Sequence, residues 1–469
     1  MENAMTTLTN AIPPATTANT TLSTRSKAWL VTAMLTGFMV LNFGDKAVLG
    51  LVAKPAMAEL GLTPVQFGFI GSSFFFLFSV SAILVGAFAG RMSSRWLLLV
   101  LALIWGVAQF PILSGGAAAL LISRIVLGAG EGPALPLALH ATHHWFPAQD
   151  RALPSNVIAI GPTVGAAIAA PILSLIIASP AMGWRWAFGI LGIASVVWAI
   201  AWAIVGRDGP YCSAHAASEG MAITPSSTEK LAAVPLAQVF KCRSWLIAVF
   251  AGFACFWAQG AMTTWVPRYI GGVLKIGQSQ VGLVYALPWV FGTLLLLALG
   301  FLGRHLMRQG TSARWAVGGL FGGSLVVSGI CLLILPHVSG TAAIAAMTLG
   351  WGAFLVFPMA PTAIAYAVNP SQRAVVISTL VGIASVGGII APSVVGWLVE
   401  QTGYGASQGS QAGNLLLLAQ GLGNAFTLTG ILLLAAGAAA IWWINPEQTC
   451  KRLQRHSHGN ELMTAHSIG

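Results

Sequence analysis

The stretch Arg151–Ala169, RALPSNVIAIGPTVGAAIA, is echoed later in the chain by Arg373–Ala391, RAVVISTLVGIASVGGIIA. Both copies open with Arg-Ala and, ten residues later, carry a hydroxyl residue, Val-Gly, two residues and Ile-Ala. Each copy begins an apolar segment that is long enough to cross a lipid bilayer. The repeat therefore predicts a membrane chain built from two related halves.

Twelve such apolar segments follow one another along the 469 residues, six on each side of a polar interval. Only 7% of the residues are charged, against about 25% in soluble globular proteins, which excludes a soluble enzyme and a disordered or fibrous protein. The composition predicts an all-α integral membrane protein with twelve transmembrane helices. The predicted spans are residues 28–53, 66–89, 96–114, 117–143, 152–178, 184–206, 244–268, 280–303, 313–335, 340–366, 374–400 and 415–444.

These spans divide the chain into two predicted six-helix bundles, over residues 28–206 and 244–444. The interval 207–243 holds seven charged residues together with Ser, Pro and Thr, and we interpret it as a linker between the bundles. Residues 1–27 are rich in Thr, Ala and Asn and are expected to form a disordered tail. Residues 445–469 are expected to form a second polar tail.

The basic residues predict the orientation of the chain. If both termini are cytoplasmic, sixteen of the 22 Lys and Arg residues fall on the cytoplasmic side and four on the other. The positive-inside rule therefore places both termini in the cytoplasm of a bacterial-type inner (plasma) membrane, and cytoplasmic loops rather than nucleic-acid binding explain the net charge of +11. Seven tryptophans near span ends are predicted interfacial anchors: Trp29, Trp96, Trp145, Trp184, Trp245, Trp397 and Trp442.

Four charged residues fall inside the predicted spans: Asp45 and Lys46 in span one, and Arg124 and Glu131 in span four. Neighbours on a helix point about 100° apart, so Asp45 and Lys46 cannot form one compact pair. Arg124 and Glu131 share a face but lie about 10 Å apart along the helix axis. Each charge is thus available to a partner on another helix, such as span one, or to a ligand.

Charges inside a bilayer are costly and usually mark a substrate or proton pathway. One interpretation is a buried network that only pins span one to span four. The other, which we favour, is a substrate and proton site. In that site the cations Lys46 and Arg124 bind an organic anion, and the carboxyls of Asp45 and Glu131 lose and regain protons.

A second echo supports two parallel halves. Gly90-Arg91-x3-Arg95 follows span two, and Gly303-Arg304-x3-Arg308 follows span eight, six spans later. Two six-helix halves related by an axis along the membrane normal are typical of transporters of the major facilitator type.

The charged motifs carry a family resemblance. Asn42-Phe43-Gly44-Asp45-Lys46 resembles the Asn-Tyr-x-Asp-Arg signature in span one of the anion:cation symporters, a family of the major facilitator superfamily. Arg124-x3-Gly128-x2-Glu131-x-Pro133 resembles its span-four signature, Arg-x3-Gly-x2-Glu-x-Pro. The resemblance runs from about residue 28 to residue 445. It implies uptake of an organic anion with protons, with proton coupling by Asp45 and Glu131, and substrate binding or gating by Lys46 and Arg124.

The chain departs from this family at several positions. Lys46 replaces an arginine, so a two-pronged donor becomes a point charge, and Phe43 replaces a tyrosine and lacks its hydroxyl. Pro162 stands where span five often has a glutamine, and Ser385 where span eleven often has an asparagine. These departures favour an aromatic or short aliphatic acid over a sugar acid.

Other polar and aromatic residues give weaker indications. Ser385 and Gln259, in span seven, are assigned to substrate binding, with packing between helices as the alternative for Gln259. Phe74-Phe75-Phe76 and Phe78, in span two, are expected to face lipid or pack against other helices rather than cage a ligand.

The sequence thus predicts a monomeric secondary transporter that takes up a small organic anion, a carboxylate, by alternating access. Protons are the expected coupling ion, and no cofactor, metal, enzyme activity or nucleic-acid partner is expected, since no metal-ligand spacing, P-loop or nucleophile motif occurs. One alternative is a proton antiporter that exports an organic compound. Another is a transport-inactive membrane sensor.

Overall fold

A computed structural model describes residues 16–88, 93–147, 150–211, 234–365, 367–369, 372–405 and 411–454, and over these residues it contains helices and no strand. Twelve helical segments of this part are long and apolar enough to cross a membrane, which confirms the predicted fold class. The segments, called spans one to twelve, are Thr24–Leu51, Pro64–Leu84, Ser94–Leu113, Ala117–His143, Leu153–Ala178, Gly183–Val205, Arg243–Gly272, Gln278–Arg308, Arg314–His337, Gly340–Ala365, Val375–Gln401 and Ala412–Trp443.

Spans four, ten and eleven break near their middles, and the breaks in spans four and eleven carry a residue of interest. In span four, Gly132 and Pro133 separate two helices, and in span eleven the break falls at Ser385. Proline lacks a backbone N–H and cannot continue the hydrogen-bond ladder of a helix, which explains the break in span four. The helices on either side of the two breaks are Ala117–Glu131 and Ala134–His143, and Arg373–Ala384 and Val386–Gln401.

Glycines let the spans approach one another at backbone distance. A Cβ at Gly128 of span four would overlap the carbonyl oxygen of Phe74 in span two. A Cβ at Gly282 of span eight would overlap the carbonyl oxygen of Ala170 in span five, so the two halves also meet closely. Close packing of small residues is the main source of helix association in lipid, where apolar burial gives little driving force.

We call the membrane face where span one begins and span twelve ends the terminal face, and the other one the opposite face. Hydrogen bonds on the opposite face join the two halves. The bonds are Val65 N to Glu400 Oε2 at 3.1 Å, Gln278 Nε2 to Leu51 O at 3.2 Å, and Ser72 Oγ to Ser393 Oγ at 2.8 Å. They hold spans two and eleven, and spans one and eight, together, so the structure is closed on the opposite face.

The first helix is Thr16–Leu51 and starts earlier than expected. Residues 16–27, predicted as part of a disordered tail, are helical, so that prediction is wrong for them. Pro13 and Pro14 precede the helix in the sequence, and no Gly or Pro interrupts residues 16–36, so nothing ends the helix before the apolar part begins. Residues 1–15 lie outside the described residues.

The other two polar segments also contain helix. Leu236–Lys241 is a short helix within the predicted linker, and residues 446–454 are helical within the predicted C-terminal tail. Residues 212–233 and 455–469 lie outside the described part of the chain. Another short helix, Ala53–Leu60, joins span one to span two on the opposite face.

The tryptophans near span ends divide into two groups. Trp96, Trp397 and Trp442 are exposed, as interfacial anchors should be, and Trp29 is half-buried. The prediction is wrong for the three that are buried, because their rings serve contacts inside the protein. The indole N–H of Trp184 donates to Glu59 Oε2 at 2.6 Å, that of Trp145 donates to Arg207 O at 3.1 Å, and the Trp245 ring packs on Phe240.

Candidate functional site

The four intramembrane charges meet between spans one and four of the first bundle. Asp45, Arg124 and Glu131 are fully buried, and Lys46 is 8% exposed. Arg124 and Glu131 stand two turns apart on the helix Ala117–Glu131, and both reach span one. Of the two partners left open by the sequence, another helix or a ligand, the structure shows contacts to span one for both residues.

Lys46 and Glu131 form a buried ion pair. Lys46 Nζ lies 2.7 Å from Glu131 Oε2 and donates to Asn42 Oδ1, also at 2.7 Å, one turn earlier on span one. A buried ion pair compensates two charges that would each be costly alone, so removing either partner leaves an uncompensated charge.

Arg124 has an unused donor edge. Its Nη1 donates to the backbone oxygen of Asp45 at 2.9 Å, and its guanidinium carbon lies 5.2 Å from the centre of the Phe188 ring. Its Nε and Nη2 are buried and have no hydrogen-bond partner in the part of the chain that the structure describes. Side-by-side donors of this kind match the two oxygens of a carboxylate or a similar anion.

Asp45 is held by a residue that the sequence analysis missed. Gln109, at the end of the span-three helix Ser94–Gln109, donates through Nε2 to Asp45 Oδ1. Asp45 Oδ2 and Gln109 Oε1 have no partner among the described residues. An amide side chain within an otherwise apolar span was the signal that could have identified Gln109.

Aromatic rings surround the Lys46 ammonium. Lys46 Nζ lies 4.1 Å from the ring centre of Phe43, 5.7 Å from that of Phe74 and 5.6 Å from that of Phe78. Positions four apart on a helix share a face, so Phe74 and Phe78 both turn towards the cation. The expected lipid-facing or packing role fits the exposed Phe76, but Phe74 and Phe78 also flank the charged cluster.

The second half approaches the cluster through aromatic residues. Trp289 of span eight contacts Phe43 edge to face, with ring centres 5.8 Å apart, and Phe256 of span seven lies 6.2 Å from Phe78. Trp289 was not singled out from the sequence. Its indole ring and the hydroxyl of Tyr285, one turn earlier, are both buried.

The two residues assigned to the site from the second half lie elsewhere. Ser385 is buried, its hydroxyl 2.6 Å from that of Ser79 in span two, so it joins the two halves. Gln259 is half-buried in span seven, and its backbone oxygen accepts a hydrogen bond from Thr263 Oγ1 at 2.9 Å. Neither contacts the four charges in the described residues, and their roles in substrate binding stay predictions.

The cluster can bind an anion and can hold protons. Two cations and two carboxylates balance formally. Asp45 Oδ2 and Arg124 Nε and Nη2 nevertheless have no hydrogen-bond partner among the described residues. Other buried polar atoms of the described residues, such as Trp105 Nε1 and Ser195 Oγ, share this property, so the cluster is distinguished by the charge that its atoms carry. A site for an anion and protons requires buried cationic donors, such as those of Arg124, and buried carboxylate oxygens, such as that of Asp45.

Two pseudo-symmetric bundles with a charged cluster buried within the membrane define a secondary transporter, not an enzyme. The chain belongs to the Major Facilitator Superfamily, whose family model matches residues 34–327.

Two relatives are named as transporters of organic anions. The chain is 30% identical to a probable sulfoacetate transporter of Cupriavidus necator over 387 residues, which cover 79% of this chain and 88% of that protein. It is 28% identical to a hexuronate transporter of Bacillus subtilis over 417 residues, covering 87% and 92%. These relatives confirm the resemblance to anion transporters of the superfamily.

Solved structures share the fold. A bacterial homologue of the human lysosomal transporter Spinster, in an inward-facing and occupied conformation, matches with a TM-score of 0.72 at 18% identity, covering 90% of this chain and 97% of that one. A D-xylose–proton symporter matches with a TM-score of 0.64 at 16% identity, covering 86% and 96%. At these identities the likeness extends to the fold.

Proposed function

We propose that this transporter takes up a small organic anion together with protons. The observation that carries the proposal is the free Nε and Nη2 edge of buried Arg124, which lies next to Asp45 and near the Lys46–Glu131 pair. A cation with unused donors inside the membrane needs an anionic partner, and the relatives are named for organic anions.

The anion docks between Arg124 and Lys46. The Arg124 edge supplies two parallel N–H donors, which suit a carboxylate or a sulfonate, and Lys46 supplies a point charge. The rings of Phe43, Phe74 and Phe78 border this position and offer no hydroxyl group. Such a site favours a short, poorly hydroxylated acid over a sugar acid, in line with the relative named for sulfoacetate.

Glu131 and Asp45 couple the anion to protons. While Lys46 pairs with Glu131, it is not free for a substrate. A proton on Glu131 releases Lys46, and the arriving anion then takes the place of the carboxylate. When the anion leaves, Lys46 is again an uncompensated buried cation, and it recovers Glu131 as the proton departs. Anion and proton thus enter and leave together.

We also propose the oligomeric state, the membrane and the orientation of the transporter. The chain acts as a monomer in an inner membrane with both termini cytoplasmic, so the terminal face is the cytoplasmic one, as the sixteen basic residues on that side favour. Closure on the opposite face then excludes a state open to the outside. Alternating access requires the bonds between Val65 and Glu400 and between Gln278 and Leu51 to break in the other state.

Counterflow in proteoliposomes tests the anion site. Proteoliposomes that contain the purified protein are loaded with unlabelled sulfoacetate or a hexuronate. Entry of the labelled compound is then followed for the wild type, Lys46→Ala and Arg124→Ala. We expect exchange of sulfoacetate to exceed that of the hexuronate. We also expect each variant to lose at least about tenfold in exchange rate, since hydrogen bonds to charged groups are worth about 1.5–3 kcal/mol.

Arg308→Ala, at the exposed end of span eight, is the matched control and should exchange like the wild type. Elution of every variant in size-exclusion chromatography establishes that it is folded. Exchange of neither anion by folded wild-type protein, or undiminished exchange by both variants, would contradict the proposal.

A further inference from the structure

A basic cavity lies on the terminal face of the second half, away from the charged cluster between spans one and four. It has a volume of about 510 Å³, and its walls come from the start of span seven, the start of span nine, the end of span twelve and the helical residues that follow it. Four of its lining residues are cations: Lys241, Arg243, Arg314 and Arg452.

No acidic side chain neutralises these cations in the described part of the chain. None of the four takes part in an ion pair there, and no Asp or Glu lines the cavity. The nearby Glu447 carboxylate accepts a hydrogen bond from the backbone N–H of Ala313 at 2.7 Å, at the start of span nine. The cavity therefore gathers four positive charges without an acidic side chain among its described lining residues, and it attracts an anion.

The walls of the cavity are fixed by hydrogen bonds. Ser244 Oγ lies 2.7 Å from Thr449 Oγ1, and the backbone N–H of Asn445 donates to the same Ser244 oxygen at 3.2 Å. These bonds tie the segment after span twelve to the first turn of span seven. The concave arrangement of the cations is thus built into the fold.

Two of the arginines are oriented by tryptophans of span twelve. The Arg243 guanidinium carbon lies 4.3 Å above the centre of the Trp443 ring, and Arg314 Nη2 donates to the Trp442 backbone oxygen at 3.3 Å. Arg314 Nε is buried and has no hydrogen-bond partner among the described residues. Held guanidinium groups with a free donor match the oxygens of a phosphate.

The position of the cavity in the membrane identifies its occupant. Trp442 is 68% exposed and Trp443 is also exposed, and exposed tryptophans at a span end lie at the level of the lipid headgroups. Basic pockets between transmembrane helices at this level bind acidic headgroups. We propose that this cavity binds the phosphate group of an anionic phospholipid from the leaflet at the terminal face.

Basic residues on this face are also expected from the positive-inside rule alone. That rule concerns the number of charges, however, and does not require a concave site with fixed walls. Arg304 and Arg308, at the end of span eight, are exposed on the same face and do not line the cavity. They provide a matched control, since they carry the same charge without the cavity.

Native mass spectrometry of delipidated full-length protein tests the proposal. Wild type, the double variant Lys241→Gln with Arg314→Gln, and the control Arg304→Gln with Arg308→Gln are titrated with phosphatidylglycerol or phosphatidylethanolamine. Each surface cation contributes roughly a fivefold change in affinity for an acidic lipid. We therefore expect a loss of about 25-fold in phosphatidylglycerol binding for the cavity variant, little loss for the control, and weaker binding of phosphatidylethanolamine throughout.

Competition with millimolar inorganic phosphate distinguishes a lipid from a soluble anion. We expect phosphatidylglycerol to remain bound, because its acyl chains add to the binding. Displacement by phosphate would show a soluble phosphate site and overturn the assignment to a lipid. Equal losses in the cavity and control variants, or equal binding of the two lipids, would overturn it as well. Elution of each variant in size-exclusion chromatography establishes that it is folded, independently of transport.

Discussion

At the scale of single residues, the site is governed by the competition for Lys46. Its ammonium is shared between Glu131 at 2.7 Å, Asn42 at 2.7 Å and the ring of Phe43. A lysine offers three donors without the fixed geometry of a guanidinium, so it can exchange one acceptor for another at little cost in orientation. In the proposed cycle, that exchange alternates between a carboxylate of the protein and the anion that is carried.

Phe43→Tyr tests whether position 43 determines the selectivity for substrates that carry hydroxyl groups. Phe43 lies between Lys46 and Trp289, where the anion:cation symporters carry a tyrosine. We expect the added hydroxyl to raise counterflow of a hexuronate relative to sulfoacetate by about two- to tenfold, the worth of one hydrogen bond. The measurement is the ratio of the two exchange rates in one preparation. An unchanged ratio would show that position 43 does not contact the substrate.

At the scale of helices, the closed face depends on backbone contacts that leave no space for a side chain. A Cβ at Gly68 of span two would overlap the carbonyl oxygen of Pro392 in span eleven. The two spans meet here across the boundary between the halves, close to the bond between Ser72 and Ser393. Small residues at this contact therefore stabilise the state that is closed on the opposite face.

Gly68→Ala is expected to shift the protein away from this closed state. Spin labels at the exposed positions Ala58 and Gln401, one in each half, report the separation of the halves on the opposite face. We expect Gly68→Ala to increase the population of longer distances, because the added methyl group must move Pro392. Gly300→Ala, where no atom lies within 4 Å of the added Cβ, should leave the distribution unchanged. An unaltered distribution for Gly68→Ala would contradict this account.

Much of the helix layout could be predicted from the sequence, because length and apolar content determine where a chain crosses a membrane. The sequence also placed Glu131 and Arg124 on one face of span four, but it left open whether span one or a ligand would be their partner. The positions of Gln259 and Ser385 did not follow. Their helices are apolar on all sides, so periodicity does not show which side faces the first half. Likewise, the meeting of Phe43 and Trp289 depends on how the halves pack.

At the scale of the whole molecule, the charged cluster lies entirely in the first half, and the second half meets it through aromatic residues. All four charges are on spans one and four, whereas Trp289 and Phe256 approach from spans eight and seven. The two halves are therefore related in fold but differ in chemistry. In the proposed cycle the first half binds the anion and the protons, and the second half moves against it to change the side of access.

Glu131→Gln tests the coupling of anion and proton most directly. Proteoliposomes with this variant are assayed for counterflow of labelled sulfoacetate and, separately, for uptake driven by an inward proton gradient. The amide resembles a permanently protonated carboxyl, so Lys46 stays available to the anion. We predict that counterflow is retained and that uptake driven by the proton gradient is lost, while Glu447→Gln, at an exposed carboxylate, keeps both. Uptake by Glu131→Gln that still responds to the proton gradient as in the wild type would contradict the account.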